Sequence, residues 1–104
     1  MSNAILFISY KLKKGSSVQE FLDATEKLNN QVVSKKKGYV SWQQLKDGDT
    51  WVDMLTFETM DDAKEFEKSG GDKNPLADKF YSFINFPSCT TRYYSIEGCY
   101  ASML

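Results

Sequence analysis

Residues 5–12 read Ile-Leu-Phe-Ile-Ser-Tyr-Lys-Leu, and their alternation places Leu6, Ile8, Tyr10 and Leu12 on one side of a strand, with Ile5, Phe7 and Ser9 on the other. Both sides begin apolar. Gly15 and Ser16 break the run, and Ser17 with Glu20 three residues on forms a capping box that opens a helix. Along it Val18, Phe21, Leu22, Thr25, Leu28, Val32 and Val33 recur at spacings of three and four, leaving Gln19, Glu20, Asp23, Glu26, Lys27 and Asn30 for water. Gly38 supplies a left-handed stop, and residues 39–46 return to extended structure. Asp47-Gly48-Asp49 is a tight turn joining that run to residues 50–58, whose alternation groups Trp51, Asp53, Leu55 and Phe57 against Val52, Met54 and Thr56.

Thr59 with Asp61 and Asp62 marks the start of a second helix, with Met60, Ala63 and Phe66 facing inward, and Ser69, Gly70 and Gly71 end it. Asn74-Pro75 restarts a helix on which Leu76, Phe80, Phe83 and Ile84 recur at helical spacing. Asn85-Phe86-Pro87 is read as its close. Residues 88–97, with Thr90, Thr91, Tyr93, Tyr94 and Ile96, form a fourth strand, and 98–104 a short tail that either reaches a neighbouring subunit or frays.

The order βαββαβ predicts an α+β, ferredoxin-like domain spanning residues 1–104, with a four-stranded antiparallel sheet and helices on one face. The two central strands carry apolar residues on both faces, and helices can cover only one. A second copy of the chain is the simplest cover for the other, which predicts a homodimer with paired sheets.

Composition narrows the functional classes. The chain has 104 residues, 13 basic and 14 acidic, and no histidine. A pI near 5.4 gives no electrostatic reason to expect nucleic acid or an anionic membrane as partner. Lys35, Lys36 and Lys37, the basic run, fall where cations complement a helix C-terminus. The chain contains neither a membrane-length apolar run nor a signal-peptide pattern, so a cytoplasmic protein is expected. Cys89 and Cys99 lack metal-ligand spacing and are read as free thiols. Ser2-Asn3-Ala4 matches a common remnant of tag removal, although Met1 ahead of it fits that origin poorly; it carries no functional weight.

The stretch Lys37-Gly38-Tyr39-Val40-Ser41-Trp42-Gln43-Gln44-Leu45, the Asp-Gly turn, and residues 51–63 from Trp51-Val52-Asp53 to Asp61-Asp62-Ala63 resemble the antibiotic-biosynthesis monooxygenase family of dimeric α+β barrels. That resemblance implies a homodimer with a ligand cleft in each subunit between sheet and helices. Family members include cofactor-free oxygenases, haem-degrading enzymes and proteins of no assigned activity. The haem-degrading branch requires an asparagine on the first strand and a tryptophan and a histidine on the second helical segment. Ile8, Phe66 and about Asp78 stand at those positions, and all three requirements fail.

A cofactor-free oxygenase does not need histidine, because an electron-rich phenol or quinol can be ionised by another base and then react with oxygen itself. Ile8, Tyr10, Phe21, Trp42, Trp51, Phe66, Phe80, Tyr81 and Tyr94 are the expected pocket residues, aromatics being suited to stack on a planar ligand. Tyr10 or Arg92 could stabilise a developing anion. Asp53, if buried, would have a raised pKa and serve as a base; exposed, it would be an ordinary polar side chain. Taken singly, each aromatic more often serves a core or a dimer interface, and a lone strand arginine more often an exposed salt bridge. No cofactor or metal is expected. Two alternatives stand beside this reading: a binding or structural dimer without catalysis, and, ranked lower, an RNA-recognition-like module, since Leu6-Phe7-Ile8-Ser9 faintly resembles such a first-strand motif.

Overall fold

Local signals set most element boundaries. The Ser17 side chain accepts a hydrogen bond from the Glu20 amide at 3.2 Å, so the helix starts where the capping residues predict. Asn74 caps the last helix through the amides of Leu76 and Ala77, with Pro75 in the first turn. In the computed structural model, which describes residues 3–69 and 74–101, the elements are β1 (Ala4–Leu12), α1 (Val18–Gln31), a 3-10 turn (Val33–Lys35), β2 (Tyr39–Asp47), β3 (Thr50–Phe57), α2 (Met60–Ser69), α3 (Pro75–Tyr81) and β4 (Ile84–Ser95). The expected stop at Gly70 and Gly71 lies outside the described residues.

The sheet runs β2-β3-β1-β4, all antiparallel, the order of a ferredoxin-like α+β fold. Leu6, Tyr10, Trp51, Leu55 and Phe57 point to the helix side and are buried there, as is Ala4 from the tripeptide given no weight above. Phe21 of α1 sits at the centre, edge-on to Trp51 at 5.1 Å and stacked on Phe80 at 5.3 Å. Truncating such a ring would cost about 3–5 kcal/mol. The other sheet face carries Ile5, Phe7, Val52 and Met54, with Tyr94 edge-on to Phe7 at 5.8 Å. Leu45 and Tyr94 on that face are 46% and 48% exposed.

Three expectations change, the first being that α1 ends at Gln31, so Gly38, although at φ 78°, does not stop it and the run Lys35, Lys36 and Lys37 lies beyond its last turn. Val18 and Leu22 are exposed, because the inward stripe of α1 is Phe21, Ala24, Thr25 and Leu28, and the other two line surface clefts. Strand β4 begins at Ile84, so Asn85-Phe86-Pro87 belongs to it rather than closing the helix. Proline is tolerated because β4 is an edge strand and its register against β1 shifts between Ser9 and Lys11. There the Lys11 amide donates to Ser88 Oγ at 2.8 Å, a side chain standing in for a ladder carbonyl. The other edge strand, β2, also shifts register, between Tyr39 and Ser41. Among the described residues no helix is long and apolar enough to cross a membrane.

Gly38 is held at φ 78°, and a Cβ there would overlap the Asp62 carboxyl group at the start of α2. Gly48, at φ 63° in the β2–β3 turn, has open space around it. Gly38→Ala is therefore expected to cost about 2–3 kcal/mol and Gly48→Ala about 1 kcal/mol. Urea midpoints measure both, and equal losses would mean that Asp62 turns aside without cost.

Candidate functional site

Alternation along β3 carries Asp53 to the helix side between Trp51 and Leu55, and it is 3% exposed. Antiparallel register sets Ile8 and Gln44 on either side of it, with Tyr10 one pair further along β1. The Tyr10 hydroxyl reaches diagonally and donates to Asp53 Oδ1 at 2.9 Å. Gln44 Nε2 donates to Thr25 Oγ1 on α1 at 3.2 Å, and that hydroxyl donates to the Phe21 carbonyl at 3.0 Å.

Burial pushes the Asp53 carboxyl up to about 6, against the opposing pull of Tyr10, Trp42 and Gln44, which favour its charged form. The Trp42 indole N–H is close enough to exert that pull yet outside hydrogen-bond geometry, and Nε1 is buried without a partner. Tyr10 is raised far above an ordinary phenol, by burial first and then by the Asp53 charge, so it stays a neutral donor. Tyr81 is likewise pushed up, by burial first and by the Asp53 charge second, and Cys89, an exposed thiol, is pushed up by partial desolvation and then by the Asp53 charge. One buried carboxylate thus dominates the electrostatics of this side of the sheet, and at neutral pH it is ionised yet more basic than an ordinary aspartate.

Trp42 and Gln44 also line a cleft of about 310 Å3 between α1 and β2, with Leu22, Thr25, Glu26 and Asn29. Gln44, tied to Thr25, lines this cleft and is also the β2 register partner of Asp53.

The structure gathers Ile8, Tyr10, Trp42, Asp53 and Tyr81 on the same side of the sheet. Phe21, Trp51 and Phe80 share that side but form a packed aromatic cluster, each 6% exposed or less, and act as its core. Phe66 stands apart, tilted against Phe57 at 5.3 Å beside the cleft of Lys36, Lys37, Asp61 and Asp62. Arg92 and Tyr94 lie on the opposite sheet face, Arg92 in register with Phe7 and Tyr94 with Ile5, so neither shares a pocket with Tyr10. Strand alternation is the cause, since β4 turns Thr91 and Tyr93 toward the helices instead. The sequence reading missed Gln44 and Thr25; only the β2–β3 register and the packing of α1 bring them together. Among the described residues no group of three or more histidine, cysteine, aspartate or glutamate side chains is placed to hold a metal ion.

No family model matches the chain, and no curated protein matches it by sequence. Solved structures do. SnoaB, a cofactor-independent oxygenase from Streptomyces nogalater, superimposes in a single-substitution variant with a TM-score of 0.71 at 10% identity, over 95% of this chain and 97% of its own. A Caulobacter crescentus protein provisionally assigned to the antibiotic biosynthesis monooxygenases gives 0.68 at 14% identity, over 93% and 92%. A dimeric protein of unknown function and ferredoxin-like fold from Bacteroides fragilis gives 0.56 at 17% identity, over 90% and 96%. The chain shares with these proteins the ferredoxin-like fold over nearly its full length.

Proposed function

We propose that this chain forms a cytoplasmic homodimer that oxygenates a small aromatic, quinol or polyketide-like substrate without a cofactor, with Asp53 as the base. The observation that carries this reading is the buried Asp53 carboxylate, raised to about 6 and held by Tyr10 at 2.9 Å behind the Trp42–Gln44 cleft. A general base works best with a pKa near the operating pH, and burial has moved this one there. The likeness to SnoaB supports the reaction class, and exposed free thiols at Cys89 and Cys99 suit a reducing compartment.

In this reading substrate enters from the α1–β2 cleft as Gln44 swings off Thr25, and stacks against Trp42. Asp53 takes its acidic proton. The anion passes one electron to dioxygen, and the resulting substrate radical and superoxide combine to form a carbon–oxygen bond. The peroxide accepts the proton from Asp53; its O–O bond then breaks as the same carbon loses hydrogen, leaving a carbonyl and water. One oxygen atom is retained, the other leaves as water, and the substrate is the only reductant. Tyr10 acts as a positioning residue, fixing one carboxylate oxygen so that the other faces the substrate.

The packed Phe21–Trp51–Phe80 cluster favours a second reading, a binding or structural dimer without turnover. Oxygen uptake with a simple anthrone and a panel of hydroquinones separates the two. The expected result is one dioxygen consumed per product, above the protein-free rate and unchanged by EDTA. Absence of protein-dependent uptake across the panel would leave the non-catalytic reading.

A further inference from the structure

Antiparallel pairing brings the end of β1, the end of β2 and the start of β3 to one end of the sheet. There a cleft of about 470 Å3 opens between the β1–α1 connection and the β2–β3 turn. Lys11, Lys13 and Lys14 reach it from β1 and its connection, and Lys46 from β2, so four of the chain's 13 basic residues line one cleft. Trp51 forms its floor, 6% exposed, with Lys46 Nζ 5.9 Å from the ring centroid.

Asp49 is the single carboxylate among the lining residues. It pairs with Lys11 at 3.7 Å, both side chains well exposed, a contact that solvent screens to little value. Four ammonium groups against one carboxylate leave the lining at +3, in a chain whose net charge is −1. A cleft lined by one sign of charge over an apolar floor focuses its field and concentrates counter-ions. The volume lies within the usual range for small-molecule sites. Asn85 and Ser16 add neutral hydrogen-bonding groups, and Gly15 and Gly48 leave the rim open.

We propose that this cleft binds a small multivalent anion, carrying phosphate or carboxylate groups, through Lys11, Lys13, Lys14 and Lys46. The site is separate from Asp53 and does not depend on the reaction assigned to it.

The test is a titration of the whole, isotopically labelled protein with inorganic pyrophosphate and, in a second arm, citrate, followed by amide and indole NMR shifts. Saturable shifts should centre on Gly15, Gly48 and the Trp51 indole. The double variant Lys13→Gln/Lys14→Gln should weaken binding at least tenfold. Lys36→Gln/Lys37→Gln, in a cleft shared with three carboxylates, should leave it unchanged. Saturation by pyrophosphate alone assigns a phosphate ligand, by citrate alone a polycarboxylate, and by both a site that reads charge; each supports the proposal. Failure to saturate in both arms, or equal weakening by the two double variants, overturns it.

Discussion

Replacing Asp53 by asparagine is expected to stabilise the protein at neutral pH while lowering oxygenation by about 10²- to 10⁴-fold, the usual contribution of a general base. The sign follows from linkage. An ordinary aspartate loses its proton near 3.8, whereas in the folded protein Asp53 holds its proton to about 6. Between those values the native state binds the extra proton, so stability falls as pH rises through the window and the full penalty is present above it. The gap corresponds to about 3 kcal/mol. Asparagine can still accept from Tyr10 and carries no charge, so Asp53→Asn should gain up to about 3 kcal/mol at pH 8 and almost nothing at pH 3.5. Urea denaturation across that range, alongside oxygen uptake, reads both effects. A variant that is less stable at pH 8 would show that the carboxylate is a structural ion. Unchanged turnover would remove it as the base. A buried charge that costs stability is readily understood where chemistry needs it.

Met54→Lys is expected to convert a dimer into a monomer. Met54 lies centrally on the sheet face away from the helices, in register with Phe7 on one side and Gln43 on the other. None of its diagonal neighbours, Ile5, Ser9, Ser41 and Leu45, is acidic, so a new ammonium would be buried without a counter-charge in a face-to-face pairing. Burying such a charge costs several kcal/mol, and about 4 kcal/mol corresponds to a dissociation constant weakened roughly 10³-fold. Sedimentation velocity should show a dimer for the native chain and a monomer for the variant. A native monomer at high concentration would remove the basis of the pairing, as would a variant that still dimerises.

The fold was legible wherever one residue does a local job. Ser17 caps, Asp47-Gly48-Asp49 turns and Asn74-Pro75 restarts, and each is found where its chemistry places it. The start of β4 was not, because Phe80, Phe83 and Ile84 keep helical spacing across a boundary set by pairing with Leu12 and Lys11. Pro87 reads as a stop in isolation and becomes tolerable only on an edge beside a register shift. The candidate site divides the same way. Period-two alternation already grouped Asp53 with Trp51 and Leu55. Its bond to Tyr10 spans 43 positions and exists only through the β1–β3 register. For the same reason Arg92 and Tyr94 looked attractive beside other aromatics and fell on the far side of the sheet.

The two rims of the sheet bear on how this molecule assembles. Register shifts limit the regular part of each edge strand, to residues 90–95 on β4, where Pro87 also lacks an amide, and to residues 41–47 on β2. Growth by adding strands sideways, the open-ended route that leads to fibres, is left only those short stretches on which to pair. Contact through the broad face would by contrast be a closed operation that uses itself up at two copies, steering a sticky surface toward a finite particle.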